Sequence, residues 1–382
     1  MLNYSTIIRN YSLLDSNSEL EHLHTFKQVP ASMACTKQKI TEDMSMNQIW
    51  NICKNTGLVQ LGELFPLDIV YKFPHNDGIG KVWENHDKAL ANFIETTDAK
   101  KVLEIGSGAG RLGKLHLSNN DNNHWTALEP NHTYEEVIMD NFIHLRDWFD
   151  ENYIIDKEYD AVIHSHVLEH TYNPVSFLKT IHKQINEDTL HIFSIPNLYH
   201  YIENKFTNGL NFEHTIFLTE DILDTLLIRI GFKTIKKHYH KELPCIFYAC
   251  KKVEPKDINY SKSIYEKNKK VFLDFVNYYR DEVDELNKKI DDYDGDIFLF
   301  GAHIFSQFLI FNGLNTDRIK LILDNSEMKQ GNRLYGTNFM VESPKILEDY
   351  NDVAVILKTA TYNKEIKEDI LTNINDKVTF WE

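Results

Sequence analysis

VLEIGSGAGRLG, residues 102–113, joins a short β-rich run to a helical pattern through Gly106, Gly108 and Gly110. Glycines at such a junction let the backbone turn sharply and approach a ligand, while the unpaired N–H groups at the helix start face it. The same alternation recurs outward from this loop. KVLEI, HWTALE, YDAVIH and DTLHIFSIP are strand-sized and β-rich, and RLGKLHL and PVSFLKTIHKQI between them have helical spacing. Strands alternating with helices predict a mostly parallel sheet covered on both faces. Gly231 closes a further helix, and FKTIKKHYH and CIFYACKKV follow as a hairpin expected to finish the sheet at one edge.

Residues 258–292 read as one long helix. Phe272, Phe275, Val276, Tyr279, Val283, Leu286 and Ile290 recur at three and four, a stripe that needs a packing surface and suits an interdomain strut. A second alternation follows in DIFLFGA, IFSQFLIFNG, KLILDN, a helix opened by Ser343-Pro344, VAVILK and TYNKEIKEDILTNI. The plan is a substrate-side region without a dominant period at 1–98, the α/β core at 99–254, a linker helix at 255–292 and a second, smaller α/β domain at 293–382.

Composition narrows the class. The 382 residues exceed one ordinary core, and 42% apolar with 26% charged residues is globular. With 41 Lys and Arg against 57 Asp and Glu the net charge is −16, so no overall positive field recruits nucleic acid or anionic lipid. No run approaches the roughly 20 apolar residues that cross a bilayer, and MLNYSTIIRNYSLLDSN has no export signal. Four cysteines do not form a disulfide framework in so long a chain. A soluble, cytoplasmic protein acting on a small molecule is expected, with neither nucleic acid nor membrane as partner.

Glu129 ends the strand HWTALE, where a carboxylate can accept both ribose hydroxyls of a nucleoside. Two nucleoside cofactors compete for such a loop. Gly108, Gly110 and Gly113 have dinucleotide spacing, but that pattern normally starts where the strand ends, at Gly106. Glu104, one residue short of the loop, puts a carboxylate where a pyrophosphate would lie. S-adenosylmethionine, with a sulfonium, an ammonium and no phosphate, fits better.

VLEIGSGAGRLG, ALEPN and YDAVIHSHVLEH together resemble the successive signature segments of class I S-adenosylmethionine-dependent methyltransferases, over about residues 98–254. The resemblance implies a Rossmann-like core binding S-adenosyl-L-methionine, with Gly106, Gly108 and Gly110 as the loop, Glu129 on the ribose and Asp147 or Trp148 at the adenine. ICKNTGLVQLGELFPLDIVY and ILDNSEMKQGNRLYGTNFMVESPKIL resemble the flanking segments of bacterial sugar C-methyltransferases, the latter centred on Asp324, Lys329, Gly331, Gly336 and Thr337. This implies a small N-terminal domain, a C-terminal nucleotide-binding-like domain and a nucleotide-linked keto-deoxysugar as substrate. Those relatives hold a structural zinc with two C-x-x-C pairs. Here Cys35 and Cys53 stand without partners, Thr56 replacing the second, so no zinc is expected in the N-terminal domain.

Ligands of parallel sheets bind beyond the carboxyl ends of the strands, which points to His164, His166 and His170 after YDAVI and to the loop 196–217 after FSIP. In NFEHTIF, Glu213 and His214 resemble the glutamate-histidine pair of sugar C-methyltransferases, with His214 as proposed base, and His170 resembles their substrate-orienting histidine. The usual tyrosine two residues before the glutamate is Asn211 here. An imidazole pKa near 6.5 suits a base at neutral pH. His170 and His214 could instead cap helices or fix the loop, while His164, His166 and His200 read as structural. His75, Asn76 and Asp77 form a polar cluster able to hydrogen-bond a sugar or to make an Asx turn. The leading reading is a methyltransferase of nucleotide-linked sugars in polysaccharide or deoxysugar biosynthesis, methylating carbon through His214. An O-methyltransferase, a nicotinamide-dependent oxidoreductase and a non-catalytic scaffold are the alternatives.

Overall fold

In the computed structural model, which describes residues 5–72, 80–131 and 134–382, Lys101–Ile105 lies inside an eight-stranded sheet. The sheet runs Phe232–His240, Cys245–Lys252, Leu190–Pro196, Ala161–Ser165, Lys101–Ile105, His124–Leu128, Phe142–Leu145, Val137–Ile138. Its five strands from Leu190–Pro196 to Phe142–Leu145 are parallel. The expected hairpin closes one edge in antiparallel register. Strand order reverses between Lys101–Ile105 and Ala161–Ser165, so the ligand crevice opens beyond their carboxyl ends. Phe142–Leu145 was not predicted as a strand; four residues buried on alternate positions are too few for a period to show.

Helices Lys81–Glu95 and Arg111–Asn119 cover one face through Leu90, Phe93, Ile94 and Leu112, and Pro174–Gln184 and Glu220–Ile230 cover the other through Phe177, Ile181, Ile222 and Leu226. Their ends follow local chemistry. The Asn173 side chain accepts from the Ser176 N–H at the start of Pro174–Gln184, and Gly231, at φ 108°, ends Glu220–Ile230.

The N-terminal region, unreadable by period, forms an antiparallel sheet in the order Ile216–Phe217, Val59–Leu61, Ser45–Cys53, Leu20–Pro30. One strand is thus taken from the core's own loop. A five-stranded parallel sheet follows, in the order Val341–Glu342, Ile319–Leu323, Asp296–Phe300, Val353–Leu357, Thr379–Trp381. Ser343-Pro344 opens only a six-residue 3-10 helix, Pro344–Asp349, because the next strand begins at Val353.

The long helix spans Lys262–Asp292, 31 residues and roughly 46 Å. Phe272, Phe275, Tyr279, Val283, Leu286 and Ile290 are buried, as the stripe predicts, with Val276 partly so. Phe272 meets Trp50 at 5.7 Å between ring centroids and Phe275 meets Phe308 at 5.8 Å. The N-terminal sheet and the C-terminal domain therefore share one core along this helix. Among the described residues no helix is long and apolar enough to cross a membrane.

His164 and His191 sit fully buried against the sheet, their Nε2 atoms 3.1 Å apart. Burial lowers both pKa values, that of His191 to about 3. A histidine depressed in the fold but ordinary in the unfolded chain contributes stability that is present above about pH 6.5 and lost as pH falls toward the folded value. For His191 this costs about 2 kcal/mol between about pH 6.5 and 5, and His164 adds a cost of the same sign. Urea unfolding should show stability falling over that interval, and the His164→Leu/His191→Leu double variant should flatten the fall.

Candidate active site

The glycine loop is held by its own surroundings. Gly106 and Gly110 lie at φ 70° and 67°, which L side chains rarely adopt. A Cβ at Gly106 would stand 2.5 Å from Val167 Cγ2, and one at Gly110 would stand 2.8 Å from Phe142 Cζ. The Glu129 carboxylate accepts from the Gly108 N–H at 2.7 Å and from the Asn131 N–H at 2.9 Å, which ties the loop to the end of the second strand. His144 Nε2 lies 3.0 Å from both Ser107 Oγ and the Gly108 carbonyl oxygen. His144 was not singled out in the sequence, since its place depends on the unforeseen strand Phe142–Leu145.

Glu104 differs from expectation. It is buried, accepts from Trp125 Nε1 at 2.8 Å, and burial pushes its pKa up to about 8. It is not the open carboxylate that the sequence suggested, because Trp125 closes over it. Asp147 and Trp148 lie just past Phe142–Leu145, beside Glu129, whose N–H reaches the Leu145 carbonyl. The Trp148 side chain is 61% exposed. His75, Asn76 and Asp77 lie outside the described residues.

A cavity of about 420 Å³ lies beyond the carboxyl ends of Ala161–Ser165 and Leu190–Pro196, lined by His166 and Pro196 among others. Its floor comes from two segments. The turn after Ala161–Ser165 brings His166, Glu169 and His170, and the loop before Ile216–Phe217 brings Asn211, Glu213 and His214. The C-terminal domain supplies the opposite wall, with His303, Asp324, Ser326 and Lys329. Asn211 Oδ1 accepts from the N–H groups of both Glu213 and His214 at 2.8 Å, and its Nδ2 donates to the Asn208 carbonyl at 3.1 Å. Asn211, expected to contact substrate, lines the cavity while its side-chain oxygen holds the two backbone amides. Loop and N-terminal sheet are stitched together, with Leu61 N–H donating to the Thr215 carbonyl at 2.9 Å and Arg9 Nη1 reaching the same oxygen.

The His170 and His214 rings meet edge to face at 4.6 Å. His170 Nδ1 lies 3.1 Å from Tyr71 Oη and 3.5 Å from Glu213 Oε2. His214 Nδ1 is buried without a hydrogen-bond partner among the described residues. Burial, then the neighbouring His170, lowers the His214 pKa to about 4, so the near-neutral titration expected from sequence does not hold. Burial alone would raise Glu169, yet its hydrogen bond with His166 and the nearby His170 and His214 hold it below the ordinary carboxylate value. It is therefore an anion among imidazoles. Glu169 and Tyr71 escaped sequence reasoning; Glu169 could have been found as the neighbour of His170, whereas Tyr71 arrives only through folding.

The chain matches two family models. Residues 82–237 match one described as a methyltransferase domain, and residues 260–379 match one described as a C-methyltransferase C-terminal domain. Over residues 82–237 the core is thus similar to a methyltransferase domain. Solved structures similar to it include human N-acetylserotonin methyltransferase in complex with SAM, at 14% identity and TM-score 0.38 over 46% of this chain and 53% of that one. The S-adenosylmethionine-dependent methyltransferase SibL in its apo form matches at 13% and 0.38 over 45% and 55%. The plantazolicin methyltransferase BpumL in complex with SAH matches at 11% and 0.36 over 45% and 89%. The chain spans little over half the length of the first two. No curated protein matches it in sequence.

The residues that would hold S-adenosylmethionine are the glycine loop ahead of Arg111–Asn119 and Glu129, whose oxygens accept from the Gly108 and Asn131 N–H groups. Glu129→Ala removes the loop's carboxylate anchor and should weaken S-adenosylhomocysteine binding at least about tenfold in calorimetry. Asn211→Ala, which frees the Glu213 and His214 amides, should instead lower turnover while leaving that affinity within about twofold.

Proposed function

We propose that the protein transfers a methyl group from S-adenosylmethionine to a carbon next to the carbonyl of a sugar, nucleotide-linked, with His214 as the base. The observation that carries this is His214 itself, a half-buried neutral imidazole whose Nδ1 is buried and unpartnered among the described residues, in a polar cavity between the methyltransferase-like core and a domain matching the C-methyltransferase model. Bound S-adenosylmethionine supplies an electrophilic methyl carbon on a sulfonium. His214 takes a proton from the sugar carbon, leaving an enolate as the carbon nucleophile. The imidazolium so formed is stabilised by Glu169 and Glu213, both of which favour its charged form. His170, between Tyr71 and Glu213, is placed to orient the carbonyl side of the acceptor. Lys329, Ser326 and His303 make the far wall polar, which suits the nucleotide part of such a substrate. The pathway this implies is polysaccharide or deoxysugar biosynthesis.

His214→Ala should lower turnover of a nucleotide keto-sugar by about 10²–10⁴ with S-adenosylhomocysteine affinity unchanged; a variant as fast as the parent would reject His214 as base. Wild-type protein in deuterium oxide should exchange the proton beside the sugar carbonyl without methyl donor, and His214→Ala should not. Failure to exchange, with methyl transfer intact, would favour a hydroxyl acceptor. The acid limb of kcat/KM should lie near pH 4, where His214 titrates, below the ordinary imidazole range.

A further inference from the structure

A second cluster stands beside the acid-base cavity. His86 from Lys81–Glu95, His166 from the turn after Ala161–Ser165 and Cys245 from the start of Cys245–Lys252 bring one ring nitrogen each and the thiol sulfur within 4.8 Å of one another. His86 is 0% and Cys245 1% exposed. Three separate elements thus converge on one point, and none of the three residues takes the proton in the transfer proposed for His214, His166 bearing on it only through Glu169.

Each imidazole is oriented from behind. His166 Nδ1 lies 3.1 Å from Glu169 Oε1, and His86 Nδ1 lies 3.2 Å from Asp87 Oδ1. A carboxylate at Nδ1 fixes the ring proton there and leaves the lone pair on Nε2, the arrangement found behind metal-bound histidines. His166 Nε2 is buried with no hydrogen-bond partner among the described residues. His86 Nε2 meets only Ser194 Oγ, at 3.1 Å, a hydroxyl that a stronger Lewis acid can displace. His166 holds φ 53°, a left-handed conformation that L residues avoid, so its ring is kept in place against backbone preference. A packing role explains the rings' burial but neither the orphaned nitrogen nor the carboxylate behind each ring.

We propose that His86, His166 and Cys245 bind a zinc ion through two imidazole Nε2 atoms and one thiolate, with Asp87 and Glu169 as the carboxylates behind the imidazoles. Nitrogen and sulfur donors suit zinc, and three protein ligands are the number in sites that keep a fourth position open. Binding releases the Cys245 thiol proton to solvent as the thiolate-metal bond forms. His240, with its ring 5.8 Å from that of His86 and its Nε2 unpartnered, is a further nitrogen near the site. The neighbouring Glu169, His170 and His214 also lie close enough to share an ion, which makes that group the competing location.

The full-length protein, stripped with chelator under reducing conditions, is titrated with cobalt(II) and then zinc. One equivalent should bind, with a thiolate-to-cobalt charge-transfer band in the near ultraviolet that zinc abolishes. Cys245→Ser should remove the band and His166→Gln should weaken binding at least tenfold, while Cys250→Ser, buried outside the cluster, leaves both unchanged. Asp87→Asn should weaken binding about 10–100-fold. Circular dichroism identifies variants that fail to fold, and for those X-ray absorption of zinc-loaded wild type replaces the variant arm: one sulfur and two or more nitrogens in the shell support the site. An all-nitrogen-and-oxygen shell, no charge-transfer band in wild type, or unaltered binding in folded Cys245→Ser and His166→Gln overturns it.

Discussion

The pairing of Ile216–Phe217 with Val59–Gln60 is the constraint on which the acid-base site depends. Loops at the mouth of a parallel sheet have no partner of their own, and a buried loop must satisfy its backbone somewhere. Here the segment directly after His214 becomes an edge strand of the N-terminal sheet, while Asn211 caps the two amides before it. His214 is thus clamped from both sides, two residues from a strand on one side and three from a capping amide on the other. Phe217 then packs against both Trp50 and Phe272, which ties the clamp to the long helix and so to the C-terminal core.

Much of this architecture was legible from periodicity alone. The strands around the glycine loop, the edge hairpin and the stripe of Lys262–Asp292 are all regular enough for spacing to reveal them, because each buries one consistent set of side chains. The borrowed strand was not. Ile216–Phe217 is two residues long, and its sheet is assembled from positions more than 150 residues apart in the chain. No local pattern encodes such a pairing. Tyr71 joins His170 for the same reason.

The chemistry was less legible than the fold. Residue type pointed correctly to where Glu213, His214 and His170 gather, but the charge states depend on burial, which a sequence does not display. Glu104 looked like an open anion until Trp125 closed over it, and His214 looked like a neutral-pH titrant until desolvation in the cavity lowered its pKa. Glu169 shows the converse. It is fully buried yet kept ionised, because three histidines stand around it. One of its oxygens meets His166, while the other is buried without a hydrogen-bond partner among the described residues.

The loan of a strand between lobes has an evolutionary reading. An acceptor-side module that merely abutted the core could be exchanged for another, as loose cassettes are, giving new specificity in one recombination event. Here any replacement would have to supply an edge able to receive Ile216–Phe217 in the same register, since a slip of one residue turns both side chains to the wrong face. Exchange of the acceptor-side module alone would therefore leave the borrowed strand without its edge and the loop carrying His214 without its anchor.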